Sequence, residues 1–397
     1  MRVRWATQIP FNPSEFTESR LRPAIIDDSL IIFGFSEGFV CLNMNTGAIK
    51  WQTQIGLTLG QRISVWAALD MIIENGRIYT LASNDAVRGS KASAVCLSVT
   101  DGHLNWRHDI APEESFAWQF SKYSSSPDAI YYSTQSSHVV ALSKSDGSVL
   151  WDSPNGAYKP LNFQIYQGEP TYKNGILYVC SSFNTPDGFH NDGGVVALDA
   201  KTGNVLWKKM FPHADSSSGY YNPALLNENL IHAPPLPTQD GLILTAGFCI
   251  TLMDDTGRFV WMKAPNINGN LSIYDWQPFL QNGKLYGYNN GNGNYFTFCM
   301  DPHTGSMSWI QIALSPPDGA TEIFNSPGID SISTYIISDA FQIFGQSLAD
   351  GHRDLFVDPR YYSKGDYVPG GEILVRGNRL YYQTRDTQDY IICLERP

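Results

Sequence analysis

The side chains of this sequence that could do chemistry are scattered along the chain rather than clustered. His103, His303 and His352 flank turn glycines, and His190 and His213 stand in loop-type sequence. Neither loop histidine has a second histidine at the spacing of a metal-binding pair. We therefore predict ordinary turn and loop histidines, without a metal centre or a catalytic base.

Two short segments are rich in oxygen-bearing side chains and could supply calcium ligands. They read "HNDGG" at 190–194 and "NNGNGN" at 289–294. Both lack the acid spacing of an EF-hand, and tight loops use the same residue types for backbone reasons. No nucleophile elbow, phosphate-binding loop or dinucleotide-binding glycine pattern is present. The prediction is that the chain has no catalytic, cofactor-binding or metal-binding residues.

A repeated phrase indicates which elements would position any functional residue. "VVALDAKTGNVLW", 195–207, runs from apolar residues through a Thr-Gly turn to a tryptophan four places after the glycine. The same offset recurs along the chain, which is typical of a repeat protein. A tryptophan at the end of each copy predicts burial against a neighbouring repeat. The blade-docking positions are Trp5, Trp51, Trp106, Trp151, Trp207, Trp261 and Trp309. In a less regular copy of the repeat, Leu355 takes the place of the tryptophan.

A second turn signal precedes each copy and completes the unit. Asn75-Gly76, Asn174-Gly175 and Asn282-Gly283 each lie between short apolar runs, as hairpin turns do. One unit is therefore predicted to contain four antiparallel strands. The large residues that end the copies are 45 to 56 residues apart.

The number of copies predicts the fold class, an all-β, eight-bladed β-propeller of four-stranded antiparallel blades. The eighth unit starts near Gly371 and lacks its fourth strand, which "RVRWATQIP" at the other end of the chain would supply. We expect one domain over 1–397, its terminal blade formed by about 371–397 plus 1–10. Such closure removes exposed sheet edges.

Composition limits the classes of partner. A formal net charge of −11 argues against nucleic acid, which would require a basic stripe, and favours a basic protein partner, although mild acidity also serves solubility. No apolar run approaches the roughly 20 residues of a membrane span. The initiating Met1 and the absence of an apolar leader favour a cytoplasmic protein over a mature periplasmic form. We expect the protein to be monomeric on its own.

The six cysteines are predicted to be small buried hydrophobic residues. Four of them occupy one equivalent place in the third strand of a repeat, and equivalent places on different blades are too far apart for disulfides. The four are Cys41, Cys96, Cys299 and Cys393, with Cys180 and Cys249 in other apolar strands.

The phrase "ALDAKTGNVLW" resembles the tryptophan-docking repeat of PQQ-like β-propellers, a superfamily that holds quinoprotein alcohol dehydrogenases and an assembly-scaffold lipoprotein of the bacterial outer membrane. The dehydrogenases would imply a disulfide between adjacent cysteines over the quinone, a calcium ion and a catalytic aspartate. This chain has no adjacent cysteine pair and no Cys-x-x-Cys-His haem signature. The resemblance therefore implies a protein closer to the non-enzymatic scaffolds, although the lipid-bearing cysteine of the scaffold lipoprotein is missing.

The connections on one face of the predicted disc are long and rich in aromatic residues. Tyrosine and tryptophan among small polar residues are enriched at protein interfaces, although such residues can also pack inward. We predict a non-enzymatic propeller that binds a protein through this long-loop face, as a scaffold or as an immunity-type protein that neutralises a toxin. The alternative is a quinoprotein-like oxidoreductase or a carbohydrate-binding propeller that uses the central channel. The candidate partner-binding residues are Trp66, Trp118, Tyr158, Tyr220, Tyr221, Trp276, Tyr361, Tyr362 and Tyr367.

Overall fold

The computed structural model divides the chain into two compact units, Met1–Gln119 with Ser315–Pro397, and Phe120–Leu314. We call them unit 1 and unit 2. The structure describes residues 2–9, 24–27, 30–35, 38–55, 71–83, 92–111, 124–134, 138–153, 166–184, 191–210, 235–246, 249–263, 278–291, 294–313, 323–329, 331–338, 343–357, 373–383 and 390–396.

The regular elements of these residues are short β-strands. Unit 1 begins with β1 Arg2–Gln8, β2 Ala24–Ile26, β3 Leu30–Phe35, β4 Gly38–Asn43, β5 Ile49–Gln54, β6 Ile72–Glu74, β7 Arg77–Ser83, β8 Ala92–Ser98 and β9 Leu104–Ile110. Unit 2 contains β10 Ser124–Ser125, β11 Ala129–Ser133, β12 Val139–Ser143, β13 Val149–Asp152, β14 Tyr166–Lys173, β15 Ile176–Asn184, β16 Asn191–Asp199, β17 Val205–Met210, β18 Leu236–Pro237, β19 Leu242–Ala246, β20 Cys249–Met253, β21 Phe259–Lys263, β22 Phe279–Gln281, β23 Lys284–Gly291, β24 Asn294–Met300 and β25 Met307–Ala313. Unit 1 ends with β26 Ile323–Ile329, β27 Ser333–Ser338, β28 Ile343–Ser347, β29 Arg353–Val357, β30 Leu374–Arg376, β31 Arg379–Gln383 and β32 Tyr390–Glu395.

Strands that follow one another in the chain pair into four-stranded antiparallel sheets, the blades of a propeller fold. In unit 1 the orders are β2-β3-β4-β5, β6-β7-β8-β9, β26-β27-β28-β29 and β1-β32-β31-β30. In unit 2 they are β10-β11-β12-β13, β14-β15-β16-β17, β18-β19-β20-β21 and β22-β23-β24-β25. We call the fourth strand of each blade, and β1 in the last of the unit 1 sheets, its outer strand.

The predicted fold class, an eight-bladed propeller of four-stranded antiparallel blades, is wrong in its number of blades. Of the sheets above, only six have four strands of three or more residues, because β10 and β18 contain two residues each. Pro237 cannot donate a ladder hydrogen bond, and β10 ends at a turn that contains Pro127. We therefore describe an all-β propeller fold with four-stranded antiparallel blades, six of them complete, in two compact units.

The first hairpin of several blades closes through the turn that the sequence predicts. Asn75 and Gly76 have φ values of 50° and 72°, and Asn282 and Gly283 have 51° and 71°. Positive φ at both central residues is the type I′ geometry that matches the twist of antiparallel strands. Asparagine and glycine tolerate this conformation best, so the prediction of hairpin turns at these pairs is confirmed.

The terminal sheet joins the two ends of unit 1. Strand β1 pairs antiparallel with β32, and Trp5 lies opposite Cys393. Arg2 Nε donates a hydrogen bond of 2.8 Å to Glu395 Oε2, and Arg4 Nη1 donates one of 3.0 Å to Glu395 Oε1. These charge-assisted bonds hold the pKa of Glu395 below its ordinary value.

The tryptophan of one blade packs on the turn glycine of the next. In unit 1, Trp51 Nε1 donates a hydrogen bond of 2.8 Å to the carbonyl oxygen of Val99, and a Cβ atom on Gly102 would lie 2.5 Å from Trp51 Cε3. In unit 2, Trp151 Nε1 donates one of 3.1 Å to Ala200 O, and its ring faces Gly203 in the same way. Only glycine fits under the indole, which explains the fixed glycine–tryptophan spacing. The same contact joins Trp5 to Gly47, Trp207 to Gly257 and Trp261 to Gly305.

Two segments interpreted as loop-type sequence are strand instead. Asn191 to Gly194 belong to β16, which pairs with β15 as far as Asn184↔Asn191. Asn289 to Gly291 end β23 and pair with β24. Their ladders extend the hairpins because neighbouring strands override the weak β propensity of asparagine and glycine. Within the described residues, no helix has the length and apolar character needed to cross a membrane.

Candidate docking surface

The aromatic residues predicted to bind a partner lie outside the described residues. Their place on the long-loop face therefore stays a prediction. They are Trp66, Trp118, Tyr158, Tyr220, Tyr221, Trp276, Tyr361, Tyr362 and Tyr367.

Three of the described histidines, His138, His303 and His352, are each paired with one carboxylate. His303 contacts Asp240, and His352 Nδ1 lies 2.5 Å from Asp350 Oδ1, with all four side chains partly exposed. The hydrogen bond and charge of Asp240 raise the pKa of His303. In the part of the chain that the structure describes, no three His, Cys, Asp or Glu side chains are arranged to hold a metal ion.

Among the described histidines, one is buried. His138 Nδ1 lies 3.0 Å from Asp152 Oδ1, an ion-pair distance without the alignment of a hydrogen bond. His138 is 8% exposed and directly precedes β12. Its backbone N–H donates a hydrogen bond to Thr134 Oγ1. The pair links the ends of two neighbouring strands of one blade.

The aspartates at the second hairpin turns serve the backbone. Asp199 Oδ1 accepts hydrogen bonds from the N–H groups of Lys201 and Thr202 at 3.0 and 2.8 Å. Bonds from Thr202, first its hydroxyl and then its N–H, lower the pKa of Asp199. At the corresponding Asp254, partial burial opposes the shift, but bonds from Thr256 and Arg258 lower the pKa to about 2. These carboxylates are therefore turn-forming groups held in the ionised state.

The described cysteines are buried in strands, as predicted. Cys96 lies between Tyr79 and Trp106 on neighbouring strands, and its small side chain lets the two rings approach to 6.0 Å between centroids. Burial raises the pKa of Cys41 to about 12 and that of Cys393 to about 11. Such thiols are not nucleophilic at neutral pH. The buried free cysteines are Cys41, Cys96, Cys180, Cys299 and Cys393.

The outer strands carry a feature that the sequence analysis did not identify, a β-bulge directly before the tryptophan. Ala141 pairs with Trp151 and Leu142 with Val149, so Leu150 has no partner across the ladder. The same shift occurs before Trp51, where Lys50 is the extra residue. We call these the bulge residues. They are Arg4, Lys50, Asn105, Leu150, Leu206, Val260, Ser308 and Asp354.

Three consecutive blades of unit 2 have apolar bulge residues that are half exposed. Leu150 is 53% exposed, Leu206 50% and Val260 48%. Val149 and Val205 beside them are 49% and 38% exposed. The bulge residues of the other sheets are polar or charged. Grouped apolar side chains that face solvent mark surfaces for interaction more often than single ones do.

We define the outer wall of unit 2 as the exposed side chains of β13, β17 and β21. Lys208 and Lys209 lie on β17, Lys263 lies on β21, and all three are exposed. Asp152 is the single acidic residue within these three strands. The outer wall is therefore apolar and locally basic, on a chain whose formal net charge is −11.

Comparison with known proteins agrees with this architecture. A family model described as "Outer membrane protein assembly factor BamB" matches residues 16–185 and 191–353. The chain belongs to this family. Among curated relatives, the outer membrane protein assembly factor BamB of Yersinia pestis is 22% identical over 323 residues, which are 71% of this chain and 74% of that protein.

A second relative is an enzyme. Polyvinylalcohol dehydrogenase of a Pseudomonas species is 28% identical over 173 residues, which are 40% of this chain and only 27% of the dehydrogenase. Among solved structures, BamB from Moraxella catarrhalis superimposes with a TM-score of 0.62 at 16% identity, covering 99% of both chains. That likeness shows the propeller fold alone.

The cysteines do not fit the quinone site that the dehydrogenase resemblance implies. A disulfide over the quinone requires adjacent cysteines, and the sequence has none. The described thiols of Cys41, Cys96, Cys299 and Cys393 lie in four different strands and are buried. No step of quinone chemistry is derived for this member of the BamB family.

Proposed function

We propose that this chain is a non-enzymatic protein-binding propeller that acts as a scaffold. The observation that carries the proposal is the half-exposed apolar set Leu150, Leu206 and Val260 on a rigid frame of paired strands. Membership of the BamB family supports a protein partner, and buried thiols with raised pKa values suit a structural role. Rigid scaffolds bind proteins without losing much conformational entropy.

The long-loop face is the first surface to test. Changing Tyr220 and Tyr221 together to alanine should leave the melting temperature unchanged and weaken binding, because an anchoring aromatic commonly contributes about 2 kcal/mol or more. The partner would be isolated with the parent protein from its native source, identified, and titrated by calorimetry. Changing Tyr361 and Tyr362 together to alanine should have the same two effects.

The matched comparison is Trp207→Ala, which should melt early. If purified partner binds the tyrosine variants as tightly as the parent, the long-loop face is not the site. If no protein binds the parent, the scaffold proposal itself fails.

The dehydrogenase similarity supports a second candidate function, quinone-dependent oxidation. We expect no stoichiometric uptake of PQQ in the presence of calcium and no dye-linked oxidation of alcohols, because the adjacent cysteines are missing. Absorbance of the dialysed protein after incubation with PQQ would measure this. Tight binding of one PQQ per chain would reverse the ranking of the two functions.

A further inference from the structure

We propose that the outer wall of unit 2 binds a segment of a partner protein in which apolar side chains alternate with acidic ones. This inference rests on the proposed protein-binding function and specifies the chemistry of the partner. It concerns a surface separate from the aromatic loops.

The apolar bulge residues lie on neighbouring blades that contact one another. Trp151 of β13 packs on Gly203, which precedes β17, and Trp207 of β17 packs on Gly257, which precedes β21. The Lys209 ammonium lies 5.9 Å from the ring centre of Phe259 on the next outer strand. The three blades that carry Leu150, Leu206 and Val260 therefore pack against one another at or beside their outer strands.

The exposure of these apolar side chains is not required by the fold. Each half-exposed leucine or valine leaves apolar surface in contact with water, which is unfavourable. The same bulge position accommodates Arg4, Lys50, Asn105 and Ser308 elsewhere, so the fold does not require an apolar residue there. Apolar side chains at three consecutive blades are thus explained by a contact that covers them.

The three strands of the outer wall carry more basic than acidic side chains. Lys208 and Lys209 lie on the same strand as Leu206, and Lys263 lies on the same strand as Val260, against the one carboxylate of Asp152. Complementary charge steers association and selects partners. The net charge of the whole chain favours a basic partner, but the local charge of this wall favours an acidic one.

The β-bulges of the outer strands limit how a partner segment can bind. The outer edge of a sheet can recruit a further strand, but a β-bulge interrupts the hydrogen-bonding ladder at that edge. Leu206 is the residue left unpaired on β17. The partner segment is therefore held by side-chain burial and ion pairs rather than by strand addition.

The probe for this surface is a fluorescein-labelled peptide of about 18 residues in which leucines alternate with glutamates, as in the proposed partner segment. A peptide with lysines in place of the glutamates is its control. Fluorescence anisotropy should show binding of the glutamate peptide to the full chain, weakened by salt. The double variant Leu206→Asp/Val260→Asp should reduce the affinity at least about tenfold.

The matched control variant is Asn105→Asp/Ser308→Asp, which places the same charges at two polar bulge positions. It should bind the glutamate peptide like the parent and melt like the Leu206→Asp/Val260→Asp variant. Equal binding of the lysine peptide, or unchanged binding by the Leu206→Asp/Val260→Asp variant, would overturn the proposal. So would a concentration-dependent dimer of the parent that this variant abolishes, because the wall would then bind a second copy.

Binding of the identified native partner distinguishes failure of the outer wall as the docking surface from failure of the scaffold function. If it binds the parent but is insensitive to Leu206→Asp/Val260→Asp, the outer wall is not the site and the scaffold function stands. If it loses affinity for that variant alone, the outer wall is its docking surface.

Discussion

Replacing Trp51 by alanine should lower the free energy of unfolding by about 3 to 5 kcal/mol, as removal of a buried tryptophan commonly does. Trp51 is 8% exposed, packs on Gly102 of the next blade and donates a hydrogen bond to Val99 O. The variant loses the ring contact and leaves that carbonyl without its indole partner. Far-ultraviolet circular dichroism during urea unfolding would measure the loss without relying on tryptophan fluorescence.

The control for this prediction is the neighbouring bulge residue. Lys50→Ala removes an exposed side chain on the same strand and should change stability by less than about 0.5 kcal/mol. A double-mutant cycle with Gly102→Ala sharpens the test. The added methyl group should be more destabilising when Trp51 is present than when it is alanine, although the strain of φ 70° remains in both. Additive effects would show that the two residues do not interact.

Removing residues 1–8 should produce the second large effect, early melting together with self-association. The truncation takes β1 from the terminal sheet, removes the indole contact between Trp5 and Gly47, and exposes the edge of β32. Lost tryptophan packing alone is typically about 3 kcal/mol, and a bare strand edge recruits other strands. Calorimetry and size-exclusion chromatography at two concentrations would record both results.

The double variant Arg2→Gln/Arg4→Gln separates strand loss from charge loss. It keeps β1 but removes the ion pairs of Arg2 and Arg4 with Glu395, while Arg379 stays 3.9 Å from that carboxylate, so its effect should be small. Because the folded pKa of Glu395 lies below its unfolded value of 4.5, this contribution is present above that pH and is lost as the pH falls through the folded pKa. A truncated protein that stays monomeric and melts with the parent would disprove the role of β1.

Short-range sequence signals predicted the hairpins because they encode backbone geometry directly. The Asn-Gly pairs adopt positive φ at both residues, and Gly47, Gly102, Gly203, Gly257 and Gly305 each receive the indole of the preceding blade. The placement of the cysteines followed from the same repeat. In each case one residue type satisfies a steric requirement that few others meet.

Features set by neighbouring strands were not predicted. The bulge before each tryptophan depends on the register of two strands, which periodicity along one strand does not reveal. A count of strands from turn signals also assumes that each strand is complete, whereas Pro237 restricts β18 to two residues. The extra strand length at Asn191 and Asn289 depends on pairing across a hairpin.

The β-bulge has a consequence for how such a repeat can acquire new specificity. A bulge residue takes no part in the pairing ladder of its strand, so the ladder does not restrict which side chain stands there. Arginine, lysine, asparagine, leucine, valine, serine and aspartate already occupy this position within one chain. Each blade thus offers one position on its outer strand at which a change of side chain can alter recognition while the strand pairing is kept.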